Sequence, residues 1–196
     1  MPQQPDPVTE LARRDQLVDS AIQLIAEQGH ARASLSRIAK RAGISKAAVL
    51  YYFKTKDDLL DAVLARVIGG LKAQIESSVR STADPVEAVF AYLRSMVAYL
   101  TANPAHVRLI AEAPAIAELA GHPYVRADPD RWQPFADLLA AAQKSGQLRD
   151  FDTKPVAILI GGAVDGLVAQ WLAEPGFDLS KAAAELETFV RRATSA

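Results

Sequence analysis

Cysteine is absent from the 196 residues. That excludes disulfides, thiol chemistry and Cys-ligated zinc or iron–sulfur centres, and it fits a cytoplasmic setting. Histidine is nearly as scarce, with only His30, His106 and His122. No H-E-x-x-H, G-x-S-x-G, phosphate loop or G-x-G-x-x-G occurs, so no recognised catalytic motif is present. His106, Glu112 and His122 do not share one predicted element and lack metal-ligand spacing. No enzyme activity, catalytic residue, metal or cofactor is expected. Long apolar runs are missing too. The most apolar stretch, Val156 to Leu172, is interrupted by Gly161-Gly162, Asp165 and Gln170, too short and polar to favour a membrane span. Residues 1–7 have neither the basic start nor the apolar run of a signal peptide, and residues 1–12 read as a disordered tail.

Acid is missing from one segment. Between Gln28 and Lys56 stand seven basic residues, Arg32, Arg37, Lys40, Arg41, Lys46, Lys54 and Lys56, and no Asp or Glu. The formal net charge of −1 hides this asymmetry, because residues 57–196 are acidic overall. Such a balance leaves one face attractive to polyanions and the remainder repulsive.

Within the basic segment, residues 34–56 spell two short helices and a tight turn. Ser34 can cap the first helix, whose inward positions Leu35, Ile38, Ala39 and Ala42 follow helical spacing. Gly43 supplies the left-handed conformation that ends it. Ser45 caps the second helix, with Ile44 and Val49 at the staple positions and Val49 and Phe53 inward. Ala47, Tyr51 and Lys54 are left facing outward, flanked by Ala48 and Leu50. Small outward residues let a helix backbone approach a major-groove floor and touch a thymine methyl. Thr55-Lys56-Asp57-Asp58 opens the next helix with a capping box, and Lys56 stands where a phosphate could meet its ammonium.

These residues resemble the TetR family of bacterial transcriptional regulators. The resemblance covers roughly residues 13–64 and rests on Gly29, Ser34, Ile38-Ala39, Ala42-Gly43-Ile44-Ser45, Tyr51-Tyr52-Phe53, Lys56 and Leu59. Two positions depart from the family pattern: Leu50 stands where Tyr is frequent, and Arg37 where an acidic residue is frequent. Leu50 lacks a phosphate contact common in the family, which Tyr51 and Tyr52 would take over. The candidate DNA-binding residues are therefore Ser34, Arg37, Ser45, Lys46, Ala47, Ala48, Leu50, Tyr51, Tyr52, Lys54 and Lys56. The resemblance implies double-stranded DNA carrying an inverted-repeat operator as partner, a homodimer, and a small-molecule effector that releases the DNA.

Nearly every other long segment has helical period, giving an all-α fold of about nine helices. The expected organisation is a disordered tail (1–12), a three-helix helix-turn-helix domain (13–56), a connecting helix (57–80) and a larger regulatory and dimerisation domain (81–196). The first helix is expected from about Asp15 to Gln28. Gly69-Gly70 make a bend plausible in the fourth. Asp84, Pro85 and Glu87 mark the next start. A helix from Ala105 is expected to end before Pro114, and residues 121–129 read as a loop.

The helix from Lys154 to Ala173 is apolar almost all round and so must be covered on every side. One side can face its own core, and a second copy of the chain is the economical cover for the other. Together with the last helix this gives Val156, Ile160, Ala163, Val164, Leu167, Trp171, Leu186, Phe189 and Val190 as the expected dimer interface. Phe90, Met96, Tyr99, His106, Glu112, Trp132, Phe135 and Asp165 combine aromatic, apolar and a few polar groups, as ligand pockets do. Alternative readings are a helical small-molecule-binding protein with weak or non-specific DNA binding, and a nucleoid-structuring protein.

Overall fold

The computed structural model describes residues 7–120 and 131–196, and only the course of the chain for 113–120. The predicted loop at 121–129 lies outside the described residues, as do residues 1–6 of the predicted tail.

Nine α-helices and one short 3-10 turn make up the described residues: α1 (Pro7–Gln28), the turn His30–Arg32, α2 (Leu35–Ala42), α3 (Lys46–Tyr52), α4 (Lys56–Arg80), α5 (Pro85–Ala102), α6 (Pro104–Ala120), α7 (Gln133–Lys144), α8 (Thr153–Ala173) and α9 (Leu179–Thr194). Among them, β pairing is limited to an isolated bridge between Leu148 and Ser195. The all-α expectation stands.

Local chemistry sets most boundaries. Asp84 accepts from the Val86 N–H at 3.0 Å with Pro85 at the first helical position. Asp152 accepts from Lys154 N–H and Asp178 from Lys181 N–H. Each cap satisfies a backbone donor that the helix itself leaves unpaired.

Two boundaries, the start of α1 and the end of α6, differ from the sequence expectation. α1 begins at Pro7 rather than near Asp15. Proline suits a first turn, where its missing N–H costs nothing, and Glu10 in that turn suits the positive helix end. Gly69-Gly70 do not break α4, which is continuous to Arg80. Gly70 instead gives room to the Tyr99 ring, whose hydroxyl and ring edge a Cβ there would crowd. α6 runs through Pro114 to Ala120.

The chain divides into two compact units, and the division is not sequential. The first holds α1–α3, α4 up to Gly69, and α6; the second holds α4 from Gly70, α5, α7, α8 and α9. Sequence reading had placed α6 with the second.

The first unit closes around Leu17, Ile25, Ile38, Val49, Phe53, Leu59, Leu60 and Leu109, all fully buried. Burying each such side chain contributes about 1.5–3 kcal/mol, and Val49 and Phe53 tie α3 to this core. In the second unit α5 packs on α7 and α9, and α8 on α7 and α9. Arg94 pairs with Glu87 and with Glu187 (2.9 Å), and Arg191 bonds Glu87 (3.1 Å) while its guanidinium lies 3.7 Å over the Phe90 ring. Hydrogen bonds from Arg94 and then Arg191 hold the Glu87 carboxyl below the usual carboxylate range. This network ties α5 to α9.

The outward face of α8 is not the one expected. Ile160, Val164 and Val190 are buried within the chain, so they belong to its own core. Val156, Ala163, Leu167, Trp171 and Leu186 are half-buried. The exposed apolar side chains are Ile158 (49%), Leu159 (71%), Leu172 (40%) and, on α9, Phe189 (69%). They share their faces with exposed Gly162, Gly166 and Ala169. α8 is long and apolar enough to cross a membrane by length and composition; its packing against α7 and α9 gives it another place.

Candidate nucleic-acid interface

α2 and α3 are held by the caps their sequence carries. The Ser34 hydroxyl accepts from the Arg37 N–H at 3.3 Å and starts α2. Gly43 ends it at φ 70°, ψ 28°, a conformation that a side chain would oppose. The Ile44 N–H then reaches the Ala39 carbonyl at 3.0 Å, which closes the turn. The Ser45 hydroxyl accepts from Ala48 N–H at 3.1 Å and starts α3. Val49 and Phe53 point into the core, and the Arg14 guanidinium covers the Phe53 ring at 4.9 Å.

Anchoring that face leaves the other in solvent. Lys46 and Ala47 are exposed, Ala48 and Tyr52 half-buried, Leu50 39% and Tyr51 67% exposed, and Lys54 exposed. The two tyrosine rings meet edge to face, centroids 5.1 Å apart. A short helix with alanines and a lysine on its open side, braced by aromatics, has the dimensions for a major groove.

Several basic side chains of the segment are already engaged. Arg41 makes a two-point bond to Glu27 at 2.6 and 2.7 Å, and this hydrogen bonding lowers the Glu27 pKa. Arg37 donates to the Arg32 carbonyl at 3.4 Å and stays exposed. Lys56 donates to the His30 carbonyl at 3.1 Å. It stands at the start of α4, where Thr55 and Asp58 bond each other's backbone N–H, both at 3.0 Å. His30 is itself held, its N–H and Nδ1 lying 2.9 and 2.8 Å from Glu112 of α6.

Sequence reading missed Glu10. The Tyr51 hydroxyl donates to its carboxylate at 2.7 Å, and that bond raises the phenol pKa. Glu10 lies 41 residues upstream, in what reads as a tail, so no local signal links the two. Contact between Tyr51 and a nucleic acid would exchange this bond.

The eight residues singled out for a ligand are divided between the two units. His106 and Glu112 belong to the first unit, the other six to the second. Phe90, Met96 and Phe135 are buried core. Tyr99 lies against Gly70, and Trp132 against Gly161. Asp165 takes both guanidinium nitrogens of Arg131, at 3.0 and 2.9 Å; Arg131 had not been singled out. Two open surface grooves, around Asp15–Asp19–Arg41 and around Arg14–Lys54–Asp61, include none of the eight. Among the described residues no three His, Asp or Glu side chains gather as metal ligands.

A capped helix pair with an exposed second helix, inside an all-helical chain, defines a helix-turn-helix protein. Residues 17–63 match the family described as bacterial regulatory proteins, tetR family. That match takes in most of α1, all of α2 and α3, and the start of α4. Among curated relatives, the HTH-type transcriptional regulator BetI of Rhizobium meliloti (strain 1021) is 36% identical over 85 residues, 43% of this chain and 42% of that protein. The chain thus spans less than half of this relative's length. Two solved structures are similar across nearly the whole chain. The fatty acid degradation regulator FadR from Bacillus halodurans superposes with a TM-score of 0.77 at 22% identity, covering 96% of each chain. A putative transcriptional regulator from Saccharomonospora viridis, solved in complex with choline, gives 0.76 at 23%, covering 95% of this chain and 99% of its own. At these identities the likeness establishes the fold.

Proposed function

We propose that the chain is a sequence-specific transcriptional regulator that binds double-stranded DNA in the cytoplasm. It acts as a homodimer on an inverted-repeat operator, and a small-molecule effector releases it as a repressor. The observation that carries this reading is the open face of α3, where Lys46, Ala47, Leu50 and Tyr51, followed by Lys54 just past its end, stand free of the core. The caps at Ser34 and Ser45 and the turn at Gly43 hold that face rigid, as base reading requires. Arg37, Lys46, Lys54 and Lys56 supply phosphate contacts around it.

The homodimer rests on the apolar stripe Ile158, Leu159, Gly162, Gly166, Ala169 and Leu172 of α8 with Phe189 of α9. Such a contiguous patch is what a second copy would cover. The effector belongs to the second unit, where Tyr92, Trp132, Phe135 and Asp165 combine rings with a charge. Of the two similar structures, one is a regulator of fatty acid degradation and the other was solved in complex with choline.

A gel-shift panel with the intergenic duplex beside the gene and random duplexes of equal length tests the reading. Preference for the intergenic duplex by at least a hundredfold is expected. Equal weak binding to all would favour a small-molecule-binding or nucleoid-structuring protein. Loss of all binding would overturn the reading.

A further inference from the structure

Asp165 is the one charged residue of α8 between Lys154 and its end at Ala173. Its carboxylate is held from two points by Arg131. That guanidinium lies 4.4 Å over the ring of Trp132. The Trp132 ring in turn lies on Gly161, where any Cβ would overlap its six-membered edge. α8 therefore keeps a bare strip of backbone as a seat for an aromatic ring. Tyr92 meets Phe135 at a tilt, centroids 4.9 Å apart, with its phenol pKa raised by burial and partly lowered again by the charge of Arg131.

A flat, delocalised cation is thus held by one carboxylate and one aromatic face, the chemistry with which proteins select organic cations. The cation here is the chain's own. Arg131 precedes α7 rather than lying within it, so swinging it aside breaks no helical hydrogen bond of its own. Side-chain exposures of 23% for Arg131 and 29% for Asp165 leave the pair reachable from water.

We infer that Arg131 is an internal stand-in for the effector, which is an organic cation of the amidinium or quaternary ammonium class that displaces it from Asp165 and stacks on Trp132. The inference rests on the regulator reading for the word effector and on the second unit alone for the site. Affinity is then set by competition: the site prefers a ligand only when it outbids a tethered guanidinium. Anions are excluded, since Asp165 repels them once Arg131 leaves.

The full chain carrying Trp171→Phe, which leaves Trp132 as its single tryptophan, reports the site by fluorescence. Benzamidinium and tetramethylammonium are titrated, with benzoate as the anion of matched shape. Arg131→Ala should bind benzamidinium at least tenfold tighter than the Arg131 protein, with Trp132 emission changing on binding. Adding Asp165→Asn should abolish it, and benzoate should bind neither. If Arg131→Ala loses helical content, Arg131→Gln keeps the length without the charge and carries the same expectation. No gain in the folded variant, a gain that survives Asp165→Asn, or benzoate binding as tightly as benzamidinium would each overturn the inference. These titrations use no DNA. A chain that binds its duplex but not the cation sinks this inference alone, and one that binds the cation but no duplex sinks only the regulator reading.

Discussion

Leu159 stands 71% exposed on the outward side of α8, and Leu159→Glu is the sharpest test of how the chain assembles. Covering most of one leucine is worth about 2 kcal/mol, and a two-fold contact covers it twice, so the lost apolar contribution is about 4 kcal/mol. An unpaired carboxylate in a dry contact adds to the loss. Each 1.4 kcal/mol is about tenfold in affinity, so dimer dissociation should strengthen about a thousandfold or more. Because Leu159 is at the surface, the fold of the single chain should be untouched. Sedimentation velocity at micromolar concentration should show a dimer for the wild type and a monomer for the variant, with unchanged near-ultraviolet circular dichroism. Val164, 3% exposed, provides the contrast: a charge there should unfold the second unit instead. A Leu159→Glu protein that remains dimeric, or a monomeric wild type, would place the dimer contact elsewhere or rule it out.

Three further outcomes are expected. Lys56→Ala should weaken binding to all duplexes about equally and reduce the salt dependence by roughly one unit of slope, and a filter-binding series across salt concentrations measures it. Gly161→Ala puts a methyl into the Trp132 ring and should cost about 1–3 kcal/mol in urea denaturation, as overpacking does, with Trp132 emission shifted in the native state; an unchanged midpoint would move Trp132 off α8. His106 of α6 is held below the usual histidine pKa, mainly by burial and further by Arg66, with Asp19 opposing. The folded protein thus resists protonation that the unfolded chain accepts, so stability should be full above about pH 6.5 and fall as pH drops through the folded pKa. Denaturation midpoints between pH 5 and 7.5 should show this slope in the wild type and lose it in His106→Asn.

The legible parts of this fold were those fixed by neighbouring residues. Ser34, Gly43, Ser45, Thr55 with Asp58, and Asp84 with Pro85 each act over two to four positions, and each stands where the local chemistry puts it. Buried Leu17, Ile38, Val49 and Phe53 followed from helical spacing. The faces of α8 could not be read this way. Apolar residues surround it, so Ile160 inside and Leu159 outside differ only in which side α7 and α9 cover. Glu10 was misread because a proline-rich, polar start resembles a tail, although Pro7 begins a helix. His106 and Glu112 were grouped with the second unit because α6 follows α5 in sequence. Its packing on α1 is a long-range matter, as are the Glu112–His30 and Arg131–Asp165 bonds.

On the proposed function, α3 reads a two-fold symmetric DNA sequence. Selection of bound duplexes from a random pool by the wild-type chain, followed by sequencing, tests it most directly. The expected result is an inverted repeat whose half-sites lie one or two helical turns apart, about 34–36 Å or its multiple between centres, and an altered repeat when Ala47 is replaced by a bulky residue. A pool that shows no enrichment, a single unrepeated motif, or the same repeat selected by the Ala47 and Tyr51 variants would contradict it.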